Sequence, residues 1–387
     1  MIKFQVSAPG RMILYGEPLT MYGKNVVAAS VDLRTRLKFC EIIDNNRRDI
    51  VKIEFPDVDL NLNLSLTSIL NFFFYEETDL FLYDHIWLLR RVQYFITLNG
   101  MWSTYAQKFS LQTFFFLFIH IANQEIFDIR PFHMHLTTQL SMRAGLGSST
   151  SFTVCLAAGF LHWARLQRNV DGAFNHDDLE KISGYALKCE ELIQNYVLKL
   201  DHDVCSHGQI LRFYYNSPRL NIRVRKLNAP RMKILLIDSK IRQNKREQMK
   251  KLAEMRSSYP TSVNIVFNIL NTLSKQAFSN LAAINNIQRD NLYQLQEKYA
   301  ALNICIMLNQ EIIHDLGLSH PRLDIICAIT KRYGFMGKLT SFGGRYVYIM
   351  LPPYASEESI TNLSTHLMIE GFSVTMTSIC CSGVKID

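Results

Sequence analysis

The chain has 387 residues, of which 48% are hydrophobic and 20% charged, and it carries a formal net charge of +8. That length exceeds what one hydrophobic core usually organises, so two domains with a cleft between them are expected. Eight scattered cysteines form no CxxC pair and no His/Cys cluster of zinc spacing, and Met1-Ile2-Lys3-Phe4-Gln5-Val6 lacks the apolar core of a signal peptide, which predicts a reduced, intracellular protein.

The first 37 residues read as strand, turn and strand. Phe4-Gln5-Val6 leads to a Pro9-Gly10 turn, Met12-Ile13-Leu14 follows, and residues 26–37 are rich in β-branched and aliphatic side chains. Helical patterns follow over residues 83–98 and 111–122. The second lies in the most apolar window of the chain, which includes Phe114-Phe115-Phe116-Leu117-Phe118-Ile119. A membrane-spanning helix needs about 20 apolar residues. Lys108 and Glu125 bracket this window and Gln112 and His120 sit inside it, so it predicts a helix buried in the core and no membrane insertion.

His133-Met134-His135-Leu136-Thr137-Thr138 reads as a strand that enters a glycine loop, Arg143-Ala144-Gly145-Leu146-Gly147-Ser148-Ser149-Thr150-Ser151, and an apolar helix follows from Phe152. Leu179, Ile182, Tyr185, Ala186 and Cys189 recur at helical spacing and predict a helix over 178–194, with Glu190 and Glu191 near its end. Strands are expected over 209–214, 221–227 and around Ile234, long helices over 264–284 and 291–316, and last strands over 345–351 and 373–377. Helices are not inserted regularly between the strands, so the class is α+β rather than a doubly wound parallel sheet. The boundary is placed near residue 230, giving domains 1–229 and 230–387. The densest basic run, residues 231–256, contains the apolar stretch Ile234-Leu235-Leu236-Ile237, and its later charges fit the wet face of a helix better than a nucleic-acid surface.

The glycine loop has two readings. Glycines followed by the first free N–H groups of a helix suit a phosphate, with the helix dipole adding partial positive charge and Ser148 and Ser149 adding hydroxyls for phosphate or metal. Equally, Gly145 and Gly147 would serve a tight turn and Ser148 would cap the helix. The segment is not a P-loop. The nearest approach to one, Gly334-Phe335-Met336-Gly337-Lys338-Leu339, has the wrong glycine spacing and no Ser/Thr after the lysine.

Gly145-Leu146-Gly147-Ser148-Ser149 resembles the ATP-binding signature of the GHMP kinases. Ser7-Ala8-Pro9-Gly10-Arg11-Met12-Ile13-Leu14-Tyr15-Gly16-Glu17, ending Tyr22-Gly23-Lys24, is similar to the first motif of the mevalonate kinases within that superfamily. The resemblance continues through Leu33-Arg34-Thr35, Asp238-Ser239-Lys240, Leu308-Asn309-Gln310, Lys338-Leu339-Thr340 and Thr377-Ser378-Ile379. It implies a two-domain architecture, with an N-terminal ATP-binding domain like domain 2 of ribosomal protein S5 and a ferredoxin-like C-terminal domain. It also implies an enzyme that uses ATP and Mg²⁺ to phosphorylate mevalonate in isoprenoid biosynthesis, of a family in which many members are homodimers. The lack of a signal peptide, a membrane span or a C-terminal Ser-Lys-Leu makes a cytoplasmic protein the expectation, and neither nucleic acid nor membrane is expected as a partner.

By the same resemblance, Gly145, Leu146, Gly147, Ser148, Ser149 and Thr150 would bind the nucleotide, and Ser149 and Glu190 would hold the metal. Asp201 would be the general base or electrostatic partner for the hydroxyl, with Asp203 as its competitor; Arg11 would assist catalysis, and Arg11, Glu17 and Asp201 would bind the substrate. Several positions depart from the family. Arg11 stands where lysine is usual, and Pro18 replaces a histidine. Residues 194–199 replace a His-Gly-x-Pro-Ser-Gly approach, and Ser341-Phe342-Gly343-Gly344-Arg345-Tyr346 replaces a glycine-rich third motif, so that Phe342 and Tyr346 would crowd a nucleotide and Arg345 would offer it a cation. These departures open two alternatives: a catalytically impaired binding protein, or a kinase of another small alcohol.

Overall fold

A computed structural model gives the architecture and describes residues 1–17, 19, 22–43, 49–74, 84–142, 144–194, 198–216, 221–241, 243–287, 291–341 and 343–387. Pro18, Arg143 and Phe342, which carried sequence expectations, lie outside these residues, as do 195–197 of the altered approach to Asp201.

The chain opens with β1 (Lys3–Tyr15) and β2 (Val26–Glu41), which pair antiparallel along most of their lengths. Pro9-Gly10 is therefore not a turn. The strand continues through it with a register shift, a bulge that absorbs the missing proline N–H. Gly10 is needed there because a Cβ would lie 2.6 Å from the Leu140 side chain and 2.9 Å from the Leu146 carbonyl. The hairpin of β3 (Ile50–Phe55) and β4 (Leu60–Ser65) leads to α1 (Leu66–Phe74), α2 (His85–Leu98) and α3 (Tyr105–Glu125).

A Thr104–Gln107 capping box starts α3, and residues 110–122 are buried on every side of the helix. The helix packs against α2, against α4 (Ser148–Gln167) and against α5 (His176–Ile193), so its phenylalanines meet protein all round rather than lipid. No helix among the described residues is long and apolar enough to cross a membrane. Between α3 and α4, β5 (Phe132–Thr138) pairs antiparallel with β2 and parallel with β3. After α5 come α6 (Lys199–His207), β6 (Ile210–Asn216) and β7 (Asn221–Leu227).

The second half runs β8 (Met232–Asp238), α7 (Lys245–Ser258), α8 (Pro260–Asn286), α9 (Leu292–Asp315), α10 (Pro321–Arg332), β9 (Gly337–Leu339), β10 (Tyr346–Met350), α11 (Glu357–Ile369), β11 (Ser373–Ile379) and β12 (Lys385–Ile386). Ile234 and Leu236 of β8 join the core beneath α8 and α9, whereas Leu235 and Ile237 pack with Leu323, Ile326, Leu363 and Leu367 of α10 and α11. Burial on both faces explains why β8 is an unbroken apolar run rather than an alternating one.

One mixed sheet joins the halves, in the order β4-β3-β5-β2-β11-β8-β10-β9, with the junction at Ile379–Val31 between β11 and β2. The α+β class expected from the sequence is the class observed. At the end of the chain β12 pairs with β1, so the last residues return to the first half. Arg34 secures this return. Its guanidinium donates to the Ser7 hydroxyl and carbonyl and to the carbonyls of Ser382 and Gly383.

Candidate active site

Three segments far apart in sequence meet at the start of α4. The Arg11 N–H of β1 donates to the Leu146 carbonyl at 2.9 Å, and the neighbouring Ile13 N–H donates to the Thr340 carbonyl at 2.9 Å. Gly145 and Gly147 both have positive φ, at 88° and 71°. A Cβ on Gly145 would lie 2.2 Å from Ser341 Oγ, and one on Gly147 would lie 2.9 Å from Arg11 Cγ. Glycine is thus required twice, once against the third motif and once against the first.

Gly147 is the residue before the first turn of α4, and no side chain among the described residues caps the helix; Ser148 is already its first residue. The capping role expected of Ser148 is therefore corrected. The leading N–H groups are left to an outside acceptor, the arrangement that suits an anion. Ser148 and Ser149 are half-buried beside them. Leu146 is buried in the core and serves the loop through its carbonyl. Thr150 turns inward, and its hydroxyl donates to Glu190 Oε2 at 2.9 Å, so it supports a carboxylate rather than facing a phosphate.

Asp201, in the first turn of α6, accepts a two-pronged hydrogen bond from Arg11, whose Nε and Nη2 meet the two carboxylate oxygens. Arg11 Nη1 also donates to the Gly145 carbonyl at 3.3 Å, tying the fork to the glycine loop. Burial opposes the Arg11 charge, but the adjoining Asp201 outweighs it, and the guanidinium pKa lies above its ordinary value. Asp203, the competing candidate, faces α5 instead and accepts from the Ser183 hydroxyl at 2.9 Å; burial raises its pKa. Asp201 is the carboxylate at the glycine loop.

Glu190 is not an ordinary surface carboxylate, because it is 1% exposed. Besides Thr150 it accepts from Gln194 Nε2 at 2.9 Å, and His202 Nε2 lies 2.7 Å from its Oε2. Burial disfavours charge on His202, yet Glu190 and Asp201 together raise its pKa. Nothing in the sequence flagged His202. It follows a candidate catalytic aspartate in a short helix, and the fold alone brings it to Glu190, twelve positions earlier.

Glu17 stands apart from this group. It is buried and ion-paired with Lys338 of β9, which also donates to the Leu339 carbonyl at 2.8 Å. Lys338 was read as part of a motif, with no partner assigned. Burial drives its pKa well below the ordinary lysine value. Arg345, considered as a phosphate contact, pairs with Asp238, and the Tyr346 hydroxyl lies 3.0 Å from Ser141 Oγ.

No protein-family model matches the chain. Curated mevalonate kinases do. That of Dictyostelium discoideum is 24% identical over 396 residues, covering 99% of this chain and 96% of the relative, and the human enzyme is 26% identical over 392 residues, covering 98% and 94%. Among solved structures, the mevalonate kinase of Methanococcus jannaschii superposes with a TM-score of 0.68 at 19% identity, covering 97% of this chain and 98% of that one. With two ordered motifs meeting in space, the chain is similar over its full length to mevalonate kinases and shares their fold.

Proposed function

We propose that the chain transfers the γ-phosphoryl group of ATP to the 5-hydroxyl of (R)-mevalonate, giving 5-phosphomevalonate and ADP. The observation that carries this reading is the uncapped N-terminus of α4 lying against the Arg11–Asp201 pair. Phosphoryl transfer asks the protein chiefly to position an alcohol against the γ-phosphate and to neutralise charge. The free N–H groups and hydroxyls at Ser148 and Ser149 would hold the phosphates. Asp201 would orient the alcohol and accept its proton, and Arg11 would steady the carboxylate and offset charge developing on the transferred group.

The donor set fits Mg²⁺. Ser149 supplies a hydroxyl and Glu190 a carboxylate, both hard oxygens. Oε1 of Glu190 accepts one hydrogen bond, from Gln194, and keeps lone-pair capacity. When bound, the ion would neutralise phosphate charge. Thr150, Gln194 and His202 would fix the carboxylate that meets it.

One observation favours a second reading, that of an impaired enzyme: both oxygens of Asp201 are taken by the Arg11 fork, where a lysine would make a single contact. The test is incubation of the purified chain with MgATP and, separately, mevalonate, homoserine and galactose, with products read by mass spectrometry. Phosphomevalonate as the dominant product supports the proposal. A different phosphorylated alcohol moves the substrate, and no ATP-dependent product from any alcohol favours the second reading.

A further inference from the structure

A second cluster of ligating side chains lies at the far end of the helix pair that carries Glu190 and Asp201. His176 is the first residue of α5, Glu180 follows one turn later on the same face, and His207 closes α6. One ligand atom from each residue lies within 4.8 Å of the other two. His207 Nε2 is 3.1 Å from Glu180 Oε1, and the rings of His176 and His207 have centroids 5.8 Å apart. In a tetrahedral zinc site, with bonds of about 2.0–2.1 Å, neighbouring ligand atoms stand about 3.3 Å apart, so small side-chain rotations bring this set to bonding geometry.

The hydrogen bonding around His207 points the same way. Its Nδ1 lies 3.2 Å from the Asp203 carbonyl, an acceptor, so Nδ1 carries the proton and donates. In the neutral ring Nε2 then presents a lone pair, and this atom is buried with no hydrogen-bond partner among the described residues. A lone pair and a carboxylate oxygen at 3.1 Å repel unless a proton or a metal ion lies between them, and a metal ion would also draw in His176. A backbone carbonyl that fixes the tautomer of a ligating histidine is a recurrent outer support of metal sites.

We propose that His176, Glu180 and His207 form a three-ligand site for a divalent transition ion of the zinc class, with a fourth position open to water. Two imidazoles and one carboxylate suit zinc, cobalt, nickel or copper, whereas magnesium and calcium demand oxygen ligands. The ion clamps the start of α5 to the end of α6, adding to the Ser183–Asp203 hydrogen bond between the same helices. No local sequence spacing announces the site, because its third ligand arrives from another helix.

The test is calorimetric titration of the untagged, chelator-stripped full chain with zinc(II), repeated with cobalt(II) while recording its visible absorption. The expected result is one equivalent bound, undisturbed by millimolar magnesium, with affinity at least tenfold lower in both His176→Asn and Glu180→Gln. These two side chains are exposed, so both variants should fold, and zinc should raise the Tm of the native chain but not of the variants. A native chain that binds no zinc overturns the proposal. So does zinc affinity unchanged in both variants, which would place the ion elsewhere, for instance on a cysteine.

Discussion

Arg11 meets Asp201 with a planar fork, and the pair is buried at the junction of β1, the glycine loop and α6. A buried pair of this kind contributes little net stability over an apolar replacement, but removing one partner strands a charge. Arg11→Met should therefore cost about 3–5 kcal/mol, read from urea unfolding midpoints at constant slope. The double variant Arg11→Met/Asp201→Asn should recover part of that loss, because no charge is left alone. Equal stability of the single variant and the native chain would mean that the fork is not closed in solution. In the sequence, the first motif points to Arg11, whereas Asp201 is placed only by its spacing, eleven residues after Glu190. The sequence could not show that Arg11 consumes both oxygens of Asp201, because that depends on where a helix 190 positions away comes to rest.

Helices α3 and α4 bury two histidines in apolar surroundings. His120 packs against Phe116 and Tyr185, His162 packs against Phe4 and Phe174, and burial pushes both pKa values down to about 4. The unfolded chain binds these protons near pH 6.5 and the folded chain only near pH 4. Unfolding therefore takes up protons in that window, and stability should fall as pH drops from 6.5 towards 4. His120→Phe, a change that keeps an aromatic ring in the cage, should flatten the decline in a series of unfolding midpoints; an unchanged slope would contradict the assignment. At this scale much was legible. The apolar run of α3, the periodicity of α5 and the continuous apolar strand β8 all follow from spacing and composition. The β3–β4 hairpin, α1, α6, α10, α11, β9 and β12 were not anticipated. Short elements such as α6 and β12 owe their form to the surfaces they pack on rather than to a pattern of their own.

Across the whole molecule, the end of the chain supports the candidate site from behind. Segment 380–384 lies against α6, and a Cβ on Gly383 would sit 2.0 Å from the Ser206 carbonyl, a backbone atom with little room to yield. Gly383→Ala should cost at least about 1–3 kcal/mol through overpacking and should lower activity by displacing the helix that carries Asp201. Native-like stability and turnover in this variant would show that the C-terminal return does not brace the site. The first and second motifs announced a nucleotide site, and the altered third motif did not reveal its part in the junction until Ser341 was seen against Gly145. The most direct measurement compares ADP release from MgATP and mevalonate by the native chain and by Asp201→Asn, with circular dichroism confirming that both are folded. A catalytic Asp201 predicts mevalonate-dependent turnover in the native chain and a loss of about 10²–10⁴-fold in the variant. Equal rates in the two folded proteins, or no turnover by the native chain, would contradict it.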